Sequence, residues 1–480
     1  MRYLYTLLLL LALPFASLVV LWRGIRERHY WQGWGQRFGL GVPLPGASPG
    51  LWVHAVSVGE VQASASLVAA LRRIWPQLPM VVTSATPSGR ARAQSAFGNG
   101  IEARFAPYDL PWCLRAALRR FRPALLIVLE TEVWPNLLDQ CMRAGVPVLI
   151  ASARLSERSC ARWRKFRALL HPAMESSVTV AAQSLSDAER FESLGVPREN
   201  VHVSGNLKFD RGAAPAVRLS GQALRAKYGA TRPLWVAGST HAGEEEAALA
   251  AHAALRGARG DAVLVLAPRH SPRFDEVAAL LEKSGEPWMR HSQAATAAAG
   301  TPERISVLLL DTLGELENFY AAADVAFVGG SLVPTGGHNL LEPAALGVAV
   351  ITGPGHHNQP EIARLLNDRR ALQVVRNPEE LAADLIRLMG DPTERARLAE
   401  AARATLSENR GALERLLELV KECLAVQGLA PAPTLVRSPT VRLPVPASGS
   451  MAAGRSSSVA SGSESASSPG AAPPAGPTSR

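Results

Sequence analysis

LWVHAVSVGEVQASASLVAALRRIWPQLPMVVTSAT (51–86) decides the fold. LWVHAVS (51–57) and MVVTSAT (80–86) are short β-rich runs. VQASASLVAALRRIW (61–75), between them, repeats its apolar residues at helical spacing. The alternation continues through ALLIVLE (124–130), VPVLIASA (146–153), VTVAAQS (178–184) and VHVSGN (201–206). After a polar, Ala/Arg-containing connection (211–232) it resumes with LWVAGST (234–240), AVLVLAPRH (262–270), SVLLLD (306–311), DVAFVGGS (324–331), VAVITGP (348–354) and LQVVR (372–376). Near-continuous apolar strands alternating with helices predict parallel sheets covered on both faces. Two such series joined by one linker predict a two-domain, doubly wound α/β protein. An amphipathic helix from about Thr393 to Val426 closes the second half and crosses back to the first. Ligands of such sheets bind beyond the carboxyl ends of the strands, so a cleft between two sheets is the expected active site.

Composition narrows the function. The 480 residues are 47% hydrophobic and 19% charged, enough apolar material for two cores. Lys and Arg number 51 against 41 Asp and Glu, a net charge of +10 spread along the chain. That excess suits a membrane surface or an anionic small molecule better than nucleic acid, since aromatics are only 6% and no nucleic-acid motif is present. Cys113, Cys141, Cys160 and Cys423 form no CxxC, which argues against a disulfide framework or a structural zinc site.

The two ends differ from the body. YLYTLLLLLALPFASLVVLW (3–22) has the roughly 20 apolar residues that cross a bilayer, and Pro14 is compatible with a span. Arg23, Arg26 and Arg28 follow it while Arg2 precedes it, placing the C-terminal side in the cytoplasm. A cleaved signal peptide would have a shorter apolar core and a small-residue cleavage site, so an uncleaved anchor (1–22) is expected. Residues 429–480 are mostly Ala, Pro, Ser and Gly and are expected to be a disordered tail without a catalytic role. Between the ends lie a first domain (23–210), the linker (211–232) and a second domain with its closing helix (233–428).

Unusual residues cluster just after the predicted strands. In HAVSVGEV (54–61), Ser57 and Gly59 permit a tight turn into a helix whose first turn holds Glu60. Glu60 reads either as a helix-start carboxylate favoured by the dipole or as a general base for a sugar hydroxyl. LETEVWPN (129–136) puts Glu130 and Glu132 at a strand end, either solvated or supporting a catalytic partner. GNLKFD (205–210) brings in Lys208, which could pair with an acid or stabilise a developing anion. Gly238, Ser239 and Thr240 form a small-residue turn that lacks the spacing of a dinucleotide or P-loop site. Arg269 in LAPRH suits phosphate or carboxylate. The most specific string is GGSLVPTGGHNLLEP (329–343). Amide N–H groups at its helix start can hold a phosphate, and Glu342, three residues after Asn339, can accept hydrogen bonds from a ribose diol.

HAVSVGEV, TSATPSG, PYDLPW, LETEVWPN, SARLSERS, GNLKFD, GSTHAGEEE, APRH, GELENFYAAADVAFVGGS and GGHNLLEP, in that order, resemble the 3-deoxy-D-manno-octulosonic acid (Kdo) transferases of lipopolysaccharide and lipid A biosynthesis. The resemblance covers residues 1 to 425 or so and leaves the tail outside. It implies a GT-B glycosyltransferase: two Rossmann-like domains with an interdomain cleft, the first binding the acceptor and the second the donor. It implies an inverting enzyme that needs no cofactor and no metal, in keeping with the lack of a DxD motif. The implied donor is CMP-Kdo and the acceptor a lipid A precursor, lipid IVA, reached from the cytoplasmic side of the inner membrane, with no nucleic-acid partner. By position, Glu60 would be the proton acceptor, with Glu130 and Lys208 supporting the transition state. Pro268, Arg269, Leu313, Gly314, Glu315, Asn339, Leu340, Leu341 and Glu342 would bind CMP. Arg154 in SARLSERS would meet an acceptor phosphate. A GT-B-fold nucleotide-sugar epimerase and a membrane-tethered inactive binding protein are the alternatives; the first leaves the anchor unexplained, and the second predicts loss of Glu60 or of the GGHN…E string.

Overall fold

A computed structural model describes residues 1–26, 31–46, 49–98, 100–210, 214–293 and 305–431. Arg28, linker residues 211–213 and the tail from 432 onward lie outside the described residues. The first sheet comprises β1 (Gly50–His54), β2 (Met80–Ser84), β3 (Ile101–Phe105), β4 (Pro123–Leu129), β5 (Val148–Ala153), β6 (Val178–Ala182) and β7 (Val201–Val203). The second comprises β8 (Leu234–Thr240), β9 (Val263–Pro268), β10 (Trp288–Arg290), β11 (Val307–Leu309), β12 (Val325–Val328), β13 (Ala349–Thr352) and β14 (Gln373–Val374). Their orders are β3-β2-β1-β4-β5-β6-β7 and β10-β11-β9-β8-β12-β13-β14, and every pairing is parallel.

Both faces of each sheet are dry, which is why the strands read as unbroken apolar runs rather than alternating ones. On β1, Trp52 enters one core layer with Leu126 and Ile150, while Leu51 and Val53 enter the opposite layer with Val82 and Ile127. The second sheet divides in the same way, Val236 to one side and Trp235 with Ala237 to the other. The order reverses between β1 and β4 in the first sheet and between β8 and β12 in the second. Those two switch points, where successive crossovers leave in opposite directions, open a crevice at the carboxyl ends of the strands.

Sequence reading missed two strands, β3 (IEARF) and β10 (WMR). Each lies at a sheet edge and carries charged residues, Glu102 and Arg104 in β3 and Arg290 in β10, that break the apolar run. The connection read as a polar linker is mostly helix, Pro215–Gly229. Val217, Gly221, Leu224 and Tyr228 line one face of it; Val217, Leu224 and Tyr228 pack on the second core, and Gly221 lies against Ala321. The closing helix is two helices, Pro392–Glu408 and Ala412–Val426, separated where Gly411 takes a left-handed φ of 89°. The Asp210 carboxylate accepts the N–H groups of Gly411 (2.6 Å) and Leu413 (2.5 Å) at that break. Leu416, Val420 and Leu424 of the second helix then join the core of the first sheet, so the expected crossing back is present. The N-terminal helix, Arg2–Arg26, is the one described helix long and apolar enough to cross a membrane.

Candidate active site

The first switch point gathers acids. Ser57 caps the helix Val58–Ala63 by accepting the Glu60 N–H (3.2 Å). The Glu60 carboxylate turns back and accepts the Val56 N–H (2.6 Å) and the Ser57 hydroxyl (3.1 Å). The Ser57 half of a capping box is present, while the carboxylate reaches past the N-cap to the Val56 N–H, so the helix-start reading of Glu60 holds as local geometry. It does not exhaust the residue. Burial pushes the carboxyl up to about 7 against the pull of the Val56 hydrogen bond, and the nearby charges of Glu132 and Glu130 push in the same direction. A carboxyl in that range gives and takes protons near neutral pH.

Glu130 ends β4 at a left-handed φ of 57°, a conformation that costs a non-glycine residue ~1–3 kcal/mol. Its carboxylate meets Lys208 Nζ at 2.7 Å, both side chains being largely buried. Lys208 is held by a chain of strand ends. Its N–H donates to Asn206 Oδ1 (2.9 Å), and Asn206 Nδ2 donates to Gln183 Oε1 (2.9 Å). Gln183 Nε2 in turn donates to the Ser152 carbonyl (2.9 Å), with Ser152 also at a left-handed φ of 51°. Glu132 receives the Trp134 indole N–H (2.6 Å), and burial holds its carboxyl above the usual range. Beneath it, His54 packs edge-on against Trp134 and shares Thr83 Oγ1 at 2.9 Å; full burial pulls its pKa down to about 4, so the imidazole is neutral. Gln183, Asn206, Ser152 and His54 carry no signal in a single sequence, because each acts through a neighbour that only the sheet brings near.

Basic and imidazole groups gather at the second switch point. Arg269 follows β9, exposed, after the buried Pro268. His241 Nε2 lies 2.8 Å from His338 Nε2 with the rings parallel, and His270 meets His241 edge-on with ring centroids 5.4 Å apart. Burial and then the Arg269 charge hold His338 at about 4, and the same causes, in the same order, lower His270. One guanidinium beside a cluster of imidazoles is a donor set suited to a phosphate ester. Leu313 and Gly314 are exposed beyond β11, next to β9 in the sheet, and the Thr312 hydroxyl donates to Glu315.

The expected phosphate cradle is partly occupied by the protein itself. The Glu244 carboxylate, fully buried, accepts the N–H groups of Gly330 (2.7 Å), Ser331 (3.0 Å), Leu332 (3.0 Å) and His241 (3.1 Å). The first glycine pair therefore serves close packing: a Cβ on Gly329 would sit 2.9 Å from Glu244, and Gly330 takes a φ of 70°. Further along, Asn339 Oδ1 accepts the Leu341 N–H (3.1 Å) and Asn339 Nδ2 donates to Glu342 (3.1 Å), closing the start of helix Leu341–Leu346. The Leu341 amide is thus capped by a side chain, and Leu340 is fully buried. Arg154 forms an ion pair with Glu361 (3.5 Å), from the first turn of helix Pro360–Asp368, which links the two halves of the molecule. Among the described residues no group of His, Cys, Asp and Glu has the arrangement of a metal site.

Two parallel-sheet domains with a polar constellation at each switch point make up the GT-B architecture, and the family matches make the chain a glycosyltransferase of that class. The sequence model for glycosyl transferases group 1 matches residues 249–405, and that for 3-deoxy-D-manno-octulosonic-acid transferase matches residues 32–211. A 3-deoxy-D-manno-octulosonic acid transferase of Haemophilus influenzae is 38% identical over 428 residues, 88% of this chain and 99% of that protein. Another, of Bordetella pertussis, is 37% identical over 85% of this chain and 97% of its own length. The chain belongs to the 3-deoxy-D-manno-octulosonic acid transferases. The crystal structure of a UDP-GlcNAc 2-epimerase from Neisseria meningitidis bound to UDP-GlcNAc superposes with a TM-score of 0.53 over 79% of this chain and all of that one. At 13% identity that likeness concerns the fold alone.

Proposed function

We propose that this protein moves Kdo from CMP-Kdo to a lipid A precursor, lipid IVA, with inversion at the anomeric carbon and without a metal, in lipopolysaccharide biosynthesis at the cytoplasmic face of the inner membrane. Glu60 carries the reading: a buried carboxyl raised to about 7, next to Glu130 and Glu132 at the β1/β4 switch point. As the acceptor hydroxyl attacks the anomeric carbon, its proton passes to Glu60 and the bond from that carbon to the phosphate oxygen breaks. Attack opposite the leaving group inverts the centre. The sugar acquires oxocarbenium character, and the Glu130 carboxylate, kept in place by Lys208, stabilises positive charge only as it develops.

Departing CMP gains negative charge. Arg269 and an imidazole N–H that the ring-to-ring contact of His241 and His338 does not use are the donors for its phosphate, with Pro268 at their base. Leu313, Gly314 and Glu315 line the nucleoside side, and Glu342, oriented by Asn339, takes the ribose hydroxyls. Arg154 reaches an acceptor phosphate by exchanging its pairing with Glu361, a part-exposed contact that costs little to open. The test is incubation of the purified protein with CMP-Kdo and tetraacylated lipid A precursor, followed by product mass. An added Kdo mass is expected; an unchanged acceptor with hydrolysis or binding of another nucleotide sugar would overturn the proposal.

A further inference from the structure

The N-terminal helix has the composition of a membrane span, yet its connections to the body do not suit one. Near its start, Arg2 forms an ion pair with Asp139, Tyr5 Oη donates to Asp109 Oδ2 (2.8 Å), and Thr6 shares hydrogen bonds with Asn136 (3.1 and 3.2 Å). Near its other end, a Cβ on Gly24 would overlap the Trp31 indole, whose N–H reaches the Leu21 carbonyl (3.4 Å). The segment Trp34–Phe38 then packs on the body, the Arg37 carbonyl accepting the Tyr108 N–H (2.7 Å). The beginning of the helix and the segment after its end therefore attach to consecutive residues, Asp109 and Tyr108. A helix of 25 residues is about 37 Å long. If it crossed a bilayer whose hydrocarbon core is about 30 Å thick, Tyr5 and Arg37 would be on opposite sides and could not share this site.

The surroundings of the tether are cationic. A recess of ≈ 540 Å³ beside it is lined by Arg2, Arg115, Arg119 and Arg143 with Asp139 as the one acid, a net of three positive charges. Arg2 and Arg143 share Asp139, whereas Arg115 and Arg119 are exposed on the same helix face as Trp112, which is 44% exposed. Along the N-terminal helix, Leu7, Leu11, Phe15, Leu18, Trp22 and Ile25 are exposed at three- and four-residue spacing and form one apolar stripe. The helix carries no charged residue between Arg2 and Arg23; its tether at both ends and the basic recess beside it are what suit an element lying in the headgroup plane.

We propose that helix Arg2–Arg26 is an in-plane docking element that seats the apolar stripe in one leaflet of an anionic bilayer, with both its ends on the side of the body and Arg115, Arg119 and Arg143 on lipid phosphates. This rests on the membrane-associated reading above. To test it, a short protease-cleavable extension is placed ahead of Met1 of the full chain, and inverted inner-membrane vesicles carrying the protein are digested from outside. Cleavage before detergent, as complete as after it, is expected; cleavage only after detergent would mean that the helix spans and would overturn the inference. In parallel, the purified protein is mixed with phosphatidylglycerol-containing and pure phosphatidylcholine vesicles. Tighter binding to the anionic vesicles is expected, reduced about fivefold for each arginine changed in Arg115→Gln, Arg119→Gln and Arg143→Gln. Equal binding to both vesicle types would overturn the role of the arginines. Absence from both would instead refute membrane association itself, a failure separate from that of the in-plane arrangement.

Discussion

Glu60 and Glu244 occupy equivalent places in the two halves of the molecule: each lies in the first turn of the helix that follows the first strand of its sheet. Glu244 is fully buried and its two oxygens collect four backbone N–H groups, tying the turn after β8 to the loop after β12. Glu60 holds one backbone N–H and one hydroxyl, and it faces two other carboxylates. The same residue type at the same topological position is saturated by donors in one half and left with acceptor capacity in the other. Donor supply, set by neighbouring loops, separates the two environments.

The comparison breaks most sharply on removal of each carboxylate. Glu60→Ala is expected to lower kcat/KM for transfer by ~10²–10⁴-fold while the CMP dissociation constant measured by calorimetry stays within about twofold. Undiminished transfer would falsify the base assignment. Glu244→Ala should act in the opposite register. Four N–H groups lose their acceptor, so thermal or urea unfolding should report a loss of about 3–5 kcal/mol, with weakened CMP binding as the loop after β12 loosens.

Protonation sharpens the contrast further. The folded protein keeps the Glu60 proton up to about pH 7, whereas an unfolded chain releases it near the ordinary value of 4.5. The folded state therefore binds more protons in that window, and this group's contribution to stability falls as pH rises from about 4.5 to 7. Glu60→Gln, which keeps an oxygen acceptor for the Val56 N–H, should be more stable than the parent by about 1–3 kcal/mol above pH 7, the gain vanishing below about 4.5. Denaturant midpoints across pH test this, and no gain at pH 8 would sink it. In the parent enzyme, kcat/KM should fall about tenfold per pH unit below 7 as the base is protonated.

The Lys208–Glu130 pair should be coupled. Each single change, Lys208→Met and Glu130→Gln, should slow transfer more than its share of the double variant, with a coupling of about 1–2 kcal/mol in a kinetic double-mutant cycle. Strict additivity would show that the 2.7 Å contact plays no part in turnover. The smallest effect is expected at Arg154→Ala, where loss of a part-exposed ion pair to Glu361 should change stability by under about 1 kcal/mol. A larger rise in acceptor KM than in unfolding free energy would support a phosphate-binding role.

Much of this was legible in the chain. Central strands could be read because a sheet covered on both faces demands unbroken apolar runs; β3 and β10 escaped because Glu102, Arg104 and Arg290 interrupt theirs. The helix Pro215–Gly229 escaped because its buried face includes Gly221, whose role is to admit Ala321 and not to add apolar surface. The candidate site was legible where a residue's own type carries chemistry, as with Glu60, Glu130, Lys208 and Arg269. It was illegible where a residue works through a partner, as with Gln183 and Asn206 behind Lys208 or Glu244 beneath the glycine loop.

Periodicity and residue type alone determined that this chain builds two parallel sheets and carries acids after the first strands and an arginine and histidines after the later ones. Both are local properties, written over spans of a few residues. Which glutamate is saturated with N–H donors, which histidines meet ring to ring, and that Tyr5 and Arg37 reach adjacent residues of the body were decided by the tertiary structure. Each of these depends on bringing together segments tens to hundreds of residues apart. No local pattern records such an encounter, because the energy that holds it arises only after the sheets have formed.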